Sequence, residues 1–570
     1  MTVVGTQESV TRPPGVRSFG RPVLRWMTCF ADAGSFVASP RTTPISNNLA
    51  LHLYHNSASR PRHLALSVAD AEFTYGDLAR IGRTVAGWLL TAGGGSAGRV
   101  GVLAGRSIAA YAGVVGACWA GATYVPLGLG WPEERLLVTL GLTRLDALIV
   151  DVEAAGKLSP RILAACPRAI LVADPGATEP GAAHTNGPRF EVLRTLPDRP
   201  ALPPVPLADE HIAYIIFTSG TTGRPKGVQI SLGAITHHLA AFQEIYRFTP
   251  QDRISLAFEL TFDPSILNMF MTWNAGASLH VVPDPQLINP IDFIQDHALT
   301  VWNSAPTTIG LLMMLRALPP GILPGLRVSI FGGETLTVEA ATAWQRAAPA
   351  STVDNVYGPT EATIECLHQR LTDPPVATIE RGSLALGVPY PGNTVAIVDA
   401  DLNFLPPGEV GELAIAGLQL AAGYLDLPEL TAVRFPIIDG SRWYLTGDKA
   451  YQDSAGRFHH LGRIDDQIKV RGHRVELGDI ESHLRVACGT ELVAAVAWPY
   501  ANGGAIGLVG FIAGPVGAPI PSPSEIHAAL ERLLPSYMVP DTIRRIASLP
   551  MTPHGKVDRH ALVALLAAEP

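Results

Sequence analysis

Charge is what this chain is short of. Asp, Glu, Lys and Arg make up 16% of its 570 residues, where an ordinary soluble protein carries about 25%. Apolar residues reach 47%, so large buried sheets and a sparsely charged surface are expected. The balance is acidic, −8 at neutral pH, which leaves no basic footprint for nucleic acid. Cysteine is scarce as well: Cys29, Cys118, Cys166, Cys366 and Cys488 are widely spaced and form no C-x-x-C pair. Such spacing argues against a structural zinc site and for a reduced, cytoplasmic setting. From Ser107 to Pro132 charge is missing altogether, over a span long enough to cross a bilayer. Its Gly and Ala content, Pro126 and the turn-like Gly128-Leu129-Gly130 point instead to a buried helix, a strand Ala122–Leu127 and a loop. No membrane span is expected. Arg25 and Asp32 interrupt the one apolar stretch near the start, so no secretory signal is read there. No internal repeat stands out.

The length exceeds what a single core supports, and two or more domains are expected. Residues 1–45 carry Arg, Pro, Ser and Thr without periodicity and read as a mobile extension. Thr74-Tyr75-Gly76-Asp77 has the form of a capping box, and Leu78, Ile81, Val85 and Trp88 then recur at helical spacing. Gly93, Gly95 and Gly98 formally match G-x-G-x-x-G. A dinucleotide fingerprint follows a strand and opens a helix; here the order is reversed, with strand Val100–Ala104 following, so this is a helix-to-strand loop. Strands Ala147–Val152 and Ala169–Val172 flank a helix around Ser159–Ala165, the rhythm of a parallel sheet covered on both faces. A Pro-, Gly- and Thr-rich connection, Pro175 to Pro206, follows.

The most informative stretch is Tyr214 to Ser231. The apolar run Tyr214–Phe217 reads as a buried strand, and it breaks into Thr218-Ser219-Gly220-Thr221-Thr222-Gly223 and then Arg224-Pro225-Lys226-Gly227. Glycines let backbone N–H groups turn toward one anion, while hydroxyls and two cations add donors. A polyphosphate suits such a cradle, although a plain polar hairpin loop has the same composition. The Walker spacing is absent, because Lys226 does not follow the required Gly-x-x-x-x-Gly.

The motifs that follow resolve this. Asn355–Glu361 (NVYGPTE), Tyr444–Asp448 (YLTGD), Gly462–Glu481 (GRIDDQIKVRGHRVELGDIE), Leu534–Pro540 (LPSYMVP) and Leu549–Arg559 (LPMTPHGKVDR) occur in order, preceded by Phe73–Leu78 and Ala120–Leu127. With the Tyr214–Ser231 loop, this ordered set resembles the adenylate-forming superfamily of acyl-CoA synthetases, luciferases and nonribosomal peptide synthetase adenylation domains. The resemblance covers about Ser46 to the C-terminus. It departs after Leu127, where Gly128–Pro132 replaces the usual Asp-Pro, and at His554, where Asn is usual. It implies an α/β protein with a large N-terminal domain, 46–464, of parallel and mixed sheets with helices plus a small β-barrel-like part. A small α+β C-terminal domain, 465–570, would swing about a hinge at Asp465.

The resemblance also implies roles. Lys556 would bridge the substrate carboxylate, ribose and α-phosphate, and Glu361 would hold Mg²⁺ on the phosphates of ATP. Thr360 would donate to the α-phosphate. Thr218, Ser219, Gly220, Thr221, Thr222, Gly223 and Lys226 would clamp the β- and γ-phosphates. Tyr357 would stack on adenine and Asn355 would meet its amino group, with Gly333, Glu334 and Gly358 nearby. Asp448 would accept both ribose hydroxyls, Arg463 would reach ribose and phosphate, and Lys469 would contact phosphates or substrate in one pose. Gly472 would line the thiol channel in the other. Local alignment places Asp263, Pro264, Leu267, Asn303, Ile330, Gly332, Val356, Ile364 and Glu365 around the acid.

Asp263 would pair with a substrate ammonium, which favours an amino acid over a fatty or aromatic acid; the alternative is a helix N-cap. Glu365 would either receive a cationic or hydrogen-bonding side chain at the pocket floor, or point outward toward an Arg. The sequence shows no attachment serine after Arg559, and Thr236-His237-His238-Leu239 lacks the acid of a condensation motif. A stand-alone enzyme delivering to a separate phosphopantetheine carrier protein is therefore expected, with an MbtH-like helper as a conceivable partner. The alternatives are an acyl-CoA ligase using free coenzyme A, a D-alanine–carrier protein ligase, and a silent scaffold. The scaffold would be expected to have lost Lys556, Glu361 or Asp448, and all three are present.

Overall fold

A computed structural model describes residues 47–93, 95, 97–173, 188–199, 202–219, 224–464, 467–470, 472–501, 504–513, 521–551 and 557–568. The residues described fall within one compact unit, Ser46–Pro570. The proposed extension, 1–45, lies outside the described residues.

The uncharged segment folds as expected, into helix Ile108–Trp119 and strand Thr123–Leu127, both buried along nearly their whole length. Glycine explains how the helix sits. A Cβ on Gly116 would lie 2.3 Å from Val85, and one on Gly82 would lie 2.5 Å from Val115. Helices Tyr75–Ala92 and Ile108–Trp119 thus pack with each glycine receiving the other's valine, a fit that any larger side chain would break. The first of them begins at Thr74, whose hydroxyl accepts from the Asp77 N–H while the Asp77 carboxylate reaches back to the Thr74 N–H. This reciprocal box satisfies two amides that the helix itself leaves open. The G-x-G-x-x-G match falls between this helix and strand Arg99–Leu103, as the sequence implied.

Two large sheets carry the molecule. In the first, Arg189–Val192, Ala169–Val172, Ala147–Val150, Arg99–Leu103, Thr123–Leu127 and Ile212–Thr218 run parallel, followed by antiparallel Lys226–Ser231 and Gly423–Tyr424. In the second, Leu64–Val68, Ser278–Val281, Arg253–Leu256, Val301–Ser304, Val328–Gly332 and Thr352–Tyr357 run parallel between antiparallel edges. A third, antiparallel sheet is built from Asn393–Val398, Val410–Gly417, Ile437–Ile438, Ser441–Gln452 and Phe458–Arg463.

Beyond these, Gln467–Val470 and His473–Glu476 form a hairpin. Strands Val493–Ala497, Leu508–Ala513 and Thr542–Ile546 pack with helices Leu477–Cys488 and Pro523–Glu531 around a small core of their own.

Ligands of open α/β sheets bind beyond the carboxyl ends of parallel strands. Those ends deliver Thr218 and Ser219, Asn303, Gly332 to Glu334, and Tyr357. The Tyr214–Ser231 stretch is topologically a hairpin, with Thr218 paired to Lys226. The loop residues between the two strands, 220–223, lie outside the described residues. Among the described residues no helix is long and apolar enough to cross a membrane.

Candidate active site

Hairpin register assembles one half of the site. Asp448 on strand Ser441–Gln452 stands opposite Arg463 on strand Phe458–Arg463, and Arg463 Nη1 donates to Asp448 Oδ1 at 3.0 Å. His460 Nε2 approaches the same oxygen at 3.2 Å, and the Tyr357 hydroxyl donates to Oδ2. Burial pushes the Asp448 carboxyl up, but the His460 hydrogen bond and the Arg463 charge more than offset it and hold it well below the usual carboxylate range. Asp448 is therefore a fixed anion and an acceptor only. Asn355 donates its amide N–H to the Ala385 carbonyl at 2.8 Å, so its oxygen is the atom left to accept from a ligand. That polarity suits an exocyclic amine.

Glu361 is fully buried. The Tyr424 hydroxyl donates to its Oε1 at 2.8 Å and Arg474 Nη1 to its Oε2 at 2.7 Å. Burial raises its carboxyl, yet Arg474, Lys226 and Tyr424 together bring it down to about 2. Arg474 belongs to the strand His473–Glu476, and its carbonyl accepts from the Ser219 hydroxyl at 3.0 Å. Lys226 lies 3.8 Å from Glu476 and over the Tyr424 ring. The Gly472 N–H donates to Glu334, whose other oxygen takes the Thr307 hydroxyl. His473 stacks on Tyr537 and meets Phe262 edge-on. Lys469 lies among Asp448, Glu334 and Arg474. The 467–476 hairpin thus sits directly on the carboxyl ends of the sheet strands.

The acid pocket has two unusual carboxylates. Asp263 sits at the N-cap position of helix Pro264–Ala275 but caps no amide. It is 9% exposed, and its Oδ2 has no partner. Burial raises it to about 6, offset only in part by the Thr360 hydroxyl. Glu365 is 5% exposed and its Oε2 is likewise unpartnered. Among the described residues no arginine pairs with Glu365, and Arg370, the nearest in sequence, is held bidentately on Asp354 at 2.9 Å. Leu267, Ile330, Val356 and Ile364 are buried apolar neighbours in the sequence of the pocket, and Asn303 gives its amide N–H to Asn268 at 2.9 Å.

Lys556 and His554, the hinge Asp465, and Gly220, Thr221, Thr222 and Gly223 lie outside the described residues. Arg474, His460 and Tyr424 were missed by the sequence reading, as was Gln419, whose side-chain amide donates to the Glu365 carbonyl at 2.8 Å. Arg474 lies inside the Gly462–Glu481 motif, where strand pairing sets it opposite Lys469. His460 is three residues before Arg463 on the same strand. Tyr424 and Gln419 carry no local signal.

Residues 53–425 match the family described as AMP-binding enzyme. The chain is 33% identical over 535 residues to the AMB antimetabolite synthetase AmbB of Pseudomonas aeruginosa, covering 92% of this chain and 39% of that protein. It is 33% identical over 543 residues to the phosphinothricin tripeptide synthetase PhsC of Streptomyces viridochromogenes, covering 92% and 46%. The chain thus spans less than half the length of these relatives. Among solved structures, the Vibrio cholerae adenylation domain AlmE in complex with glycyl-adenosine-5'-phosphate superposes with a TM-score of 0.82 at 29% identity, covering 93% of this chain and all of that one.

Proposed function

Because the chain belongs to the AMP-binding enzyme family, we propose that it activates an amino acid with MgATP and passes the aminoacyl group to the phosphopantetheine thiol of a carrier protein. The observation that carries the amino-acid reading is Asp263. A buried carboxylate with a free oxygen, reached by Lys469 only at longer range and in no ion pair among the described residues, is unfavourable until an ammonium group arrives. The glycyl adenylate bound by AlmE and the synthetase names of the relatives point the same way.

In the first step a substrate carboxylate oxygen attacks the α-phosphorus of ATP. The bond to the bridging oxygen breaks, and pyrophosphate leaves with that electron pair. Anion meets anion here, so positioning and charge neutralisation supply most of the catalysis. Asp448 accepts the ribose hydroxyls, with Arg463 and His460 keeping it ionised. Tyr357 and Asn355 present the adenine surface. Thr218, Ser219 and Lys226 lie at the foot of the phosphate loop, and Thr360 stands by the reacting acid. Lys556 is assigned the charge at the bond being made.

Glu361 fits a magnesium ion as an ionised carboxylate, provided that Arg474 withdraws from its Oε2. Bound there, the ion would neutralise phosphate charge. Arg474 on Glu361, with Gly472 beside Glu334, is the arrangement expected once pyrophosphate has gone and a thiol is to attack. We therefore assign 46–464 and 465–570 as two parts that pivot at Asp465 between the two steps. In the second step the thiol sulfur attacks the acyl carbon, the thiol proton is given up, and AMP leaves.

Amino-acid-dependent ATP–pyrophosphate exchange across an amino-acid panel tests the first step, with loss of exchange expected in Asp263→Ala. Exchange with simple carboxylic acids and none with amino acids would overturn this reading. Labelled transfer to a holo-carrier protein tests the second, and efficient use of free coenzyme A alone would replace the carrier by an acyl-CoA product.

A further inference from the structure

Resting on the amino-acid reading, we infer that the site selects a diamino acid, an amino acid with a second ammonium group on its side chain, and that Glu365 is the anchor for that group.

Two buried carboxyls, Asp263 and Glu365, lie close enough to act on one another, and each has an oxygen without a partner. One is accounted for by the substrate's α-ammonium. A neutral side chain would leave the free oxygen of Glu365 buried without a partner. No cation of the described chain serves it, since the nearest arginine in sequence, Arg370, is fixed on Asp354. A buried carboxyl without a partner destabilises a fold, and an apolar residue of similar size would be the more stable choice. The residue makes sense if its partner comes with the substrate.

The backbone is arranged to keep Glu365 there. Thr363 and Ile364 both adopt left-handed conformations, φ 56° and 71°, which β-branched residues rarely accept. Gln419, itself fully buried, clamps the turn: its amide donates to the Glu365 carbonyl at 2.8 Å, and its own carbonyl takes the Thr363 hydroxyl at 2.5 Å. Gly358 makes room, because a Cβ there would lie 2.4 Å from the Ile364 carbonyl oxygen. A strained turn held this firmly directs one side chain, and that side chain is Glu365.

Beside it, the buried Tyr390 hydroxyl interacts with the Glu365 carboxyl and with the Tyr246 hydroxyl. It is a donor available to the carboxylate once that ionises. Burial, and then Asp263, raises the Glu365 carboxyl to about 8. It waits as the neutral acid and becomes an anion when an ammonium group displaces its proton.

The test is ATP–pyrophosphate exchange with 2,4-diaminobutyrate, ornithine and lysine, each against the analogue lacking the terminal amine: 2-aminobutyrate, norvaline and norleucine. The best diamino acid is expected to exceed its neutral analogue by about 100-fold or more in kcat/KM. Glu365→Gln should bring the two within about tenfold of each other. Glu365→Asp, which keeps the charge on a shorter arm, should move the preference to a diamino acid one methylene longer. Wild-type enzyme that uses the neutral analogues equally well, or a Glu365→Gln variant that keeps the full preference, overturns the inference and leaves the amino-acid reading standing. Exchange with no amino acid at all would overturn that reading, and this inference with it. Asp263→Ala separates the two, since it should abolish exchange with every amino acid, diamino or neutral.

Discussion

Arg474→Ala removes the guanidinium that meets Glu361 across 2.7 Å. Burial alone would push the Glu361 carboxyl up; Arg474 first, then Lys226 and Tyr424, bring it to about 2 from an ordinary 4.5. At 1.36 kcal/mol per pH unit this favours the ionised form by about 3 kcal/mol. Arg474 leads the groups that lower it, so the variant should lose on the order of 2 kcal/mol of docking and folding stability together. A depressed carboxyl contributes stability above its unfolded pKa, and that contribution disappears as pH falls through the folded value. The gap in melting temperature between wild type and variant should therefore be full at pH 7 and shrink as the pH drops below 4.5 toward 2. Scanning fluorimetry across that range measures it. The two half-reactions add a readout that stability does not move. Thiol transfer should slow by about tenfold or more, while ATP–pyrophosphate exchange changes by less than about threefold. Equal slowing of both, or a melting gap that does not vary with pH, would refute the reasoning.

Three further outcomes follow from the geometry. Asp448→Asn removes the fixed anion held by Arg463, His460 and Tyr357, and should raise KM for ATP by about 100-fold, a loss of about 3 kcal/mol; an unchanged KM would remove Asp448 from the nucleotide site. Glu365 has a raised carboxyl, about 8 against 4.5, so folding stability falls as pH climbs between those values, and Glu365→Gln should flatten the melting temperature over that window. The groups facing it, Asp263, Tyr390, Tyr246 and Cys366, remain in the variant, so parallel curves would show that Glu365 is not the titrating group. Gly116→Ala forces a Cβ to within 2.3 Å of Val85 and should cost about 1–3 kcal/mol, visible as a lower urea midpoint; a neutral result would mean that the two helices separate easily.

The sequence disclosed what is local or periodic. The Thr74 box is contained in four residues, and the buried parallel strands announce themselves as unbroken apolar runs. Glu361 and Asp448 stood in motifs, and Asp263 was placed by local alignment. Their partners were hidden for a geometric reason: Arg474 and Glu361 are 113 positions apart, and Tyr424 and Glu361 are 63 apart. Only the folded sheets bring these pairs together. The inward aim of Glu365 was also illegible, because it depends on a left-handed backbone at Thr363 and Ile364, residues whose intrinsic preference is the opposite. Gln419, which holds that turn, lies 54 positions from Glu365 in a stretch with no motif. Pattern reading finds residues that repeat; it has no access to residues that merely hold another in place.

The uncharged segment has a consequence for biosynthesis. Strand Thr123–Leu127 pairs with Ile212–Thr218, and the second strand begins about 85 residues after the first ends (212 − 127). At roughly 5–20 residues per second, a ribosome needs about 4–17 s to supply it. For that interval strand Thr123–Leu127 lacks the partner that covers one of its edges. Production yield should respond to slower growth temperature or added chaperone before it responds to any change in the catalytic half of the protein.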